Sequence, residues 1–421
     1  MPRSHKIIFG IFVCIHVFTA LWLGLARPGS ISPIADPLEY RLLALHLFEG
    51  VFSIAPASEQ ESELLRTPGY PLLVAATYMV DGGWGLVIVL LQQFLLAVVA
   101  YLIYRLVIRV TQNQTLALVS LTVFLIEPQQ WLFSLQTMTE TFSVFLMTVS
   151  VWLALQTEQQ GWRSTVVWEG ILVGCMVLVK PGLMILVPFV LLLCVVRMVS
   201  WRTRLIYIGT SVVVALIIVS PWLIRNTLLT GVPIISSSAV FNFIGLGAPE
   251  DTTLLLRDGR ILYDNAGHHV MENRNYTVKS YPNLVLMKKK IIEHEGVWRL
   301  VEKQISCALP IWLNHNIGSV LSVVHVPFVN TSGITIAVML EKVVWIVLLF
   351  FVILGILRGI IDPSTRYTFL LFGCMLGTLT FLNVCTASSR MLIPLYAPIL
   401  LCASMALASF QPFRPNIHHS R

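Results

Sequence analysis

Apolar residues dominate this chain in blocks of roughly span length, and within the blocks they do not alternate with polar ones. Such runs predict membrane-crossing helices, because a helix needs about 20 residues to traverse the hydrocarbon core. Ten blocks stand out, near 7–26, 84–104, 115–134, 141–157, 165–179, 183–197, 205–224, 334–357, 367–387 and 391–410. Only helices and closed barrels satisfy every backbone polar group in lipid, and the missing two-residue period leaves helices. The chain therefore reads as an all-α polytopic membrane protein with roughly ten transmembrane helices.

The polar breaks set an orientation. Arg3 and Lys6 precede the first block, and no small-residue cleavage site follows it, so it is expected to stay as an anchor. Arg105 and Arg109, Arg163, Arg197, Arg202 and Arg204, Arg358 and Arg366, then Arg414 and Arg421 recur in short loops or near the end of the chain. Placing these inside puts both termini in the cytoplasm and leaves two extracytoplasmic segments, 27–83 and 225–333. The division that follows is a transmembrane module over 1–250, an external segment over 251–333, and C-terminal helices with a short tail over 334–421. Residues 305–328 are apolar but interrupted by Pro310 and Asn314-His315-Asn316. If they crossed, Arg358 and Arg366 would move outside, so an interfacial helix is expected there.

Composition narrows the class. The chain is 56% hydrophobic and 12% charged, with mean hydropathy +0.80, too apolar for a soluble domain. Its net charge of +7 sits largely in topology-setting loops and calls for no nucleic acid. Seven cysteines lie almost entirely inside apolar blocks, Cys307 being the one in a long polar loop, and show no disulfide or zinc spacing. His268-His269, His294, His315 and His325 lack a metal-ligand arrangement. Lys288-Lys289-Lys290 opens an amphipathic stretch suited to lipid head groups.

In a chain with so few acids, those of the first external segment are informative. Asp36-Pro37-Leu38-Glu39 fits a capping box with proline at the first helical position. Leu38, Leu42 and Leu45 form an apolar stripe, and Gly50 is placed to end the helix. Asp36 can thus be read as a helix cap or as a catalytic carboxylate, and its two oxygens permit both. Glu39, at the third helical position, is expected to point back at the cap. Arg66-Thr67-Pro68-Gly69-Tyr70-Pro71 is a rigid turn before a second short helix over Leu72–Val80. Arg66 reads equally as an interfacial arginine extending its head group to water.

Together these features resemble the family 39, protein-mannosyltransferase type of glycosyltransferase with the GT-C fold, which includes aminoarabinose transferases. The motifs are Asp36…Tyr40, then Arg66-Thr67-Pro68-Gly69-Tyr70-Pro71, then Pro128 with Thr139-Glu140. Gly174 to Lys180-Pro181 follows, then Pro221-Trp222-Leu223-Ile224-Arg225-Asn226 with Gly231 and Ser236-Ser237-Ser238. Ser389-Arg390 and Pro394 resemble the closing motif, with Met391 where the family has tyrosine. The likeness spans about 5–250 and more loosely 334–410; 250–333 has no counterpart in it.

The resemblance implies a GT-C-like bundle in the plasma (inner) membrane with extracytoplasmic juxtamembrane helices and an extracytoplasmic active site. It implies transfer of a sugar from a polyprenyl-phosphate donor to a glycan, lipid or protein acceptor, with inversion. Such chemistry needs a carboxylate to take the acceptor's proton and cationic donors for the departing phosphate. Asp36 is the expected general base, with Glu140 and Glu39 as further acids. Arg66, Lys180, Arg225 and Arg390 are the expected phosphate-binding residues, while Tyr40 and Asn226 would orient substrate or serve the fold. For Glu140 the plain alternative is an acid favoured by a helix N-terminus, and for Lys180 a tight-turn lysine. Asp36 and Glu140 are candidate ligands for a magnesium or manganese ion. The competing reading is a multi-pass transporter or flippase of a lipid-linked or amphipathic substrate. It predicts mid-membrane charges and internal repeats, and neither is evident.

Overall fold

The computed structural model describes residues 1–26, 31, 36–54, 62–196, 198, 200–238, 331–382 and 389–409, with scattered positions in 285–306. Side chains at 157–160, 331–338 and 381–391 also lie outside the description. Residues 307–328, most of the expected interfacial helix, lie outside it too.

Among the described residues every apolar block is helical, and no strand occurs. The helices are α1 (Arg3–Ala26), α2 (Asp36–Leu47), α3 (Gly69–Asp81), α4 (Leu86–Thr111), α5 (Gln114–Ile126), α6 (Pro128–Ser134), α7 (Glu140–Gln160) and α8 (Trp162–Val179). A 3-10 turn (Pro181–Leu186) leads into α9 (Val187–Val195) and α10 (Trp201–Thr230). Then come α11 (Thr331–Ile361), α12 (Arg366–Leu382), a second 3-10 turn (Ser389–Leu395) and α13 (Tyr396–Ser409). Six of the described helices are long and apolar enough to cross a membrane, or seven if one bent pair counts as a single span. The chain is an integral membrane protein.

The bent pair corrects the expectation of a continuous span over 115–134. α5 and α6 meet at 55°. Pro128 has no N–H to continue the ladder, and the Glu127 carboxylate instead caps α6 by accepting from Gln130 N at 2.6 Å. A break inside lipid exposes carbonyls that need partners. His16 serves one of them, Leu125 O, at 2.9 Å, and past the break, where α6 ends, Gln92 and Gln93 of α4 donate to Ser134 O at 3.0 and 2.8 Å, with Gln92 also reaching Gln136 O at 2.7 Å. His16 completes the patch between Gln93 and Leu125 O.

α13 is buried along most of its length, whereas α1, α10 and α11 turn most of their apolar surface outward. That inversion of the soluble pattern suits helices facing lipid. α8 and α10 run parallel and touch backbone to backbone. A Cβ on Gly170 would lie 2.7 Å from Ser211 O, and one on Gly174 would lie 2.9 Å from Ile218 Cβ. Two glycines four apart give one smooth helix face, so the neighbouring helix can approach closely. This seam brings the C-terminal ends of α8 and α10 to one level.

Candidate active site

At that end of the bundle α2 and the turn before α3 bring three charges together. α2 begins at Asp36 and stops at Leu47; the chain then reverses through Gly50 at φ +74°, a left-handed conformation open to glycine at little cost. One helical turn sets Asp36 and Glu39 on the same face, and both carboxylates meet the Arg66 guanidinium. Arg66 donates from Nε to Glu39 Oε2 at 2.8 Å and from Nη2 to the same oxygen at 2.5 Å, while Nη2 also contacts Asp36 Oδ1. Glu39 therefore turns to Arg66, not back along the cap as its position had suggested. The Tyr40 ring lies under the guanidinium, with Cζ 5.1 Å from its centroid. Tyr40 orients Arg66.

Burial disfavours the charge on Arg66, but Tyr40, Asp36 and Glu39 more than offset this, so its pKa lies well above the ordinary range. The side chains of Asp36 and Arg66 keep 20% and 18% of their surface exposed, so neither is sealed in the core.

A second ion pair lies alongside. Glu140 opens α7 and Lys180 ends α8, and Lys180 Nζ stands 3.2 Å from Glu140 Oε1. The two pairs are linked through Gly69. A Cβ there would come within 2.7 Å of Leu178 O, so only glycine lets the Arg66 turn pack directly on the end of α8, two residues before Lys180. Tyr70 follows, its ring 5.1 Å from that of Tyr40 and its hydroxyl donating to Gln92 Oε1 at 2.9 Å.

Arg225 and Asn226 take a supporting place. Arg225 stacks on Trp222 and Phe52, at 4.4 and 5.5 Å, and donates to Glu63 O at 3.1 Å and Asn226 Oδ1 at 2.7 Å. It thus grips the backbone of the loop that carries Arg66. Asn226 donates to Ile234 O and Ile235 O, closing the turn after α10. Ser236 Oγ and Ser237 N then bind Leu65 O and Leu64 O, so the serine motif clasps the same loop. Arg390 lies in the second 3-10 turn, which packs against α7; its side chain is outside the described residues.

One participant has no sequence signal beyond its place three residues before Arg66. Glu63 is buried, and its Oε1 accepts from Leu64 N at 3.0 Å and Leu65 N at 2.6 Å. Burial pushes its pKa up to about 7; the Leu65 N–H bond and nearby Arg66 act against the rise, and Glu39 adds to it. As for a metal, Asp36 and Glu140 are each already held by a cationic side chain. No group of three His, Cys, Asp or Glu suited to a metal occurs among the described residues.

Among curated proteins, none matches the chain. Two solved structures of ArnT from Cupriavidus metallidurans are similar to it. The one bound to undecaprenyl phosphate is 12% identical with TM-score 0.41, covering 97% of this chain and 79% of that one. The apo form is 14% identical with TM-score 0.39, covering 94% and 77%. Residues 66–224 match the family model described as dolichyl-phosphate-mannose-protein mannosyltransferase, a stretch that holds Arg66, Glu140 and Lys180 and stops one residue short of Arg225. The chain thus resembles glycosyltransferases of the protein-mannosyltransferase type, as its motifs indicate.

Proposed function

We propose that this protein is a membrane glycosyltransferase that moves a sugar from a polyprenyl-phosphate carrier to an acceptor at the extracytoplasmic face. The observation that carries the reading is the contact of Asp36 and Glu39 with Arg66, at the bundle end where Lys180 and Arg225 also stand. Asp36 is the general base and takes the proton of the acceptor nucleophile. The nucleophile's electron pair forms the new bond to the sugar C1 from the side opposite the phosphate. The C1–O bond breaks, its electrons leave with the phosphate, and the anomeric configuration inverts.

Arg66 has a double part in this scheme. In the free enzyme it pairs with Asp36. A donor phosphate competes for the same planar fork, which matches phosphate as well as it matches carboxylate. As Arg66 turns to the phosphate, it leaves Asp36 open to the acceptor nucleophile. Lys180 adds a second cation for the leaving group, and Glu140 holds Lys180 in place.

The test is Asp36→Asn, which keeps most helix-capping capacity and removes the base. With equal protein in the membrane, transfer from a polyprenyl-phosphate sugar is expected to fall by about 10²–10⁴-fold. Transfer at the wild-type rate would remove Asp36 from the reaction.

A further inference from the structure

The opposite end of the bundle carries a groove that the transfer reaction does not use. α9 forms its floor, and α10 and α12 form its walls, around a cavity of about 380 Å³. Its inner part is aliphatic, with Leu205, Ile208 and Leu371 among the lining residues. At its outer end stand Trp201, Arg204 and Tyr367, in the first turns of α10 and α12 and beside the end of α9. Trp201 and Tyr367 are 65% and 60% exposed. Aromatic rings with one polar edge collect at the membrane–water interface, so these two residues mark its level.

Arg204 supplies the charge. Its Nε and Nη2 donate to Met198 O at 2.7 and 2.5 Å, which fixes the guanidinium at the groove mouth. It forms no ion pair among the described residues. A fixed cation at the level marked by the aromatic rings, beside an aliphatic slot, matches one kind of molecule: an anionic head group with an attached acyl chain. The groove is also far from the candidate active site. Arg204 and Arg225 are on the same helix 21 residues apart, or about 30 Å of rise, the thickness of the hydrocarbon core.

We propose that this groove binds an anionic phospholipid from the leaflet opposite the candidate active site. Its phosphate lies on Arg204, and one acyl chain lies against Leu205, Ile208 and Leu371.

Native mass spectrometry of the full-length purified protein tests this. Phosphatidylglycerol and phosphatidylcholine with identical chains serve as probes, and polyprenyl phosphate as a competitor. The wild type is expected to retain phosphatidylglycerol in preference to phosphatidylcholine. Arg204→Gln keeps an N–H for Met198 O but loses the charge. It should lower phosphatidylglycerol retention about fivefold, the size of one basic residue's attraction to an anionic lipid surface. Leu370→Trp, on the 46% exposed Leu370 of the groove wall, fills the slot without touching the core and should reduce both lipids. Equal retention of the two lipids, or wild-type retention in both variants, overturns the proposal. Displacement by polyprenyl phosphate, or a dimer mass in place of bound lipid, overturns it too, by giving the groove to the donor or to a second copy of the chain.

Discussion

Arg66 brings two nitrogens, Nε and Nη2, to a single oxygen of Glu39, at 2.8 and 2.5 Å. This bond fixes the guanidinium while Nη2 also reaches Asp36. Lysine has the same charge but no fork, so Arg66→Lys is expected to lower transfer by about 10²-fold, as when a single preorganised donor is lost. Arg66→Gln removes the cation between two carboxylates. Transfer is then expected to fall at least as far as in Arg66→Lys. Wild-type transfer in Arg66→Gln would argue that Asp36 and Arg66 do not act together.

Glu63 predicts a pH-dependent stability. Its folded pKa of about 7 lies above the ordinary 4.5, so the folded protein binds this proton more tightly than the unfolded chain. The stabilisation is complete below about pH 4.5 and is lost as pH rises through 7, amounting to about 3 kcal/mol. Glu63→Gln keeps an oxygen for the Leu64 and Leu65 amides and cannot ionise. Thermal unfolding in detergent between pH 5 and 8 should show the wild type losing stability and the variant changing less. Parallel curves would assign the pH dependence to other groups.

Lys180 and Glu140 are suited to a double-mutant cycle. Glu140 is 2% exposed, so Lys180→Ala leaves a buried charge without its ion-pair partner and is expected to cost about 3–5 kcal/mol. Adding Glu140→Gln removes that charge and should restore much of the loss. Additive costs in a denaturation series would show that the pair does not act as a unit.

Much of this was legible along the chain and part was not. The helices follow from apolar runs, and α2 from Asp36-Pro37 at its start, because both signals are local. The break at Glu127–Pro128 was less visible, since a proline inside an apolar run signals a kink without fixing its angle. Glu39 shows the limit more clearly. Its spacing from Asp36 fits a capping box, yet its carboxylate goes to an arginine 27 residues away. The Arg225 bond to the Glu63 carbonyl spans 162 residues and exists because α8 and α10 pack closely along Gly170 and Gly174. Glu63 had no periodic neighbours to distinguish it from other loop acids. The groove at Arg204 draws on three helices with no shared motif.

The close approach of Gly69 to the Leu178 carbonyl has a mechanical consequence. The turn carrying Arg66 and the helix end carrying Lys180 are in direct contact, so the two cations are displaced together when α8 tilts or slides. Under the proposed function, substitutions along the glycine seam, which touches neither Arg66 nor Lys180, are expected to change donor affinity. In this architecture the spacing between the two charges is set by a turn packed on a helix end, and the place of that helix end by the seam of α8 with α10.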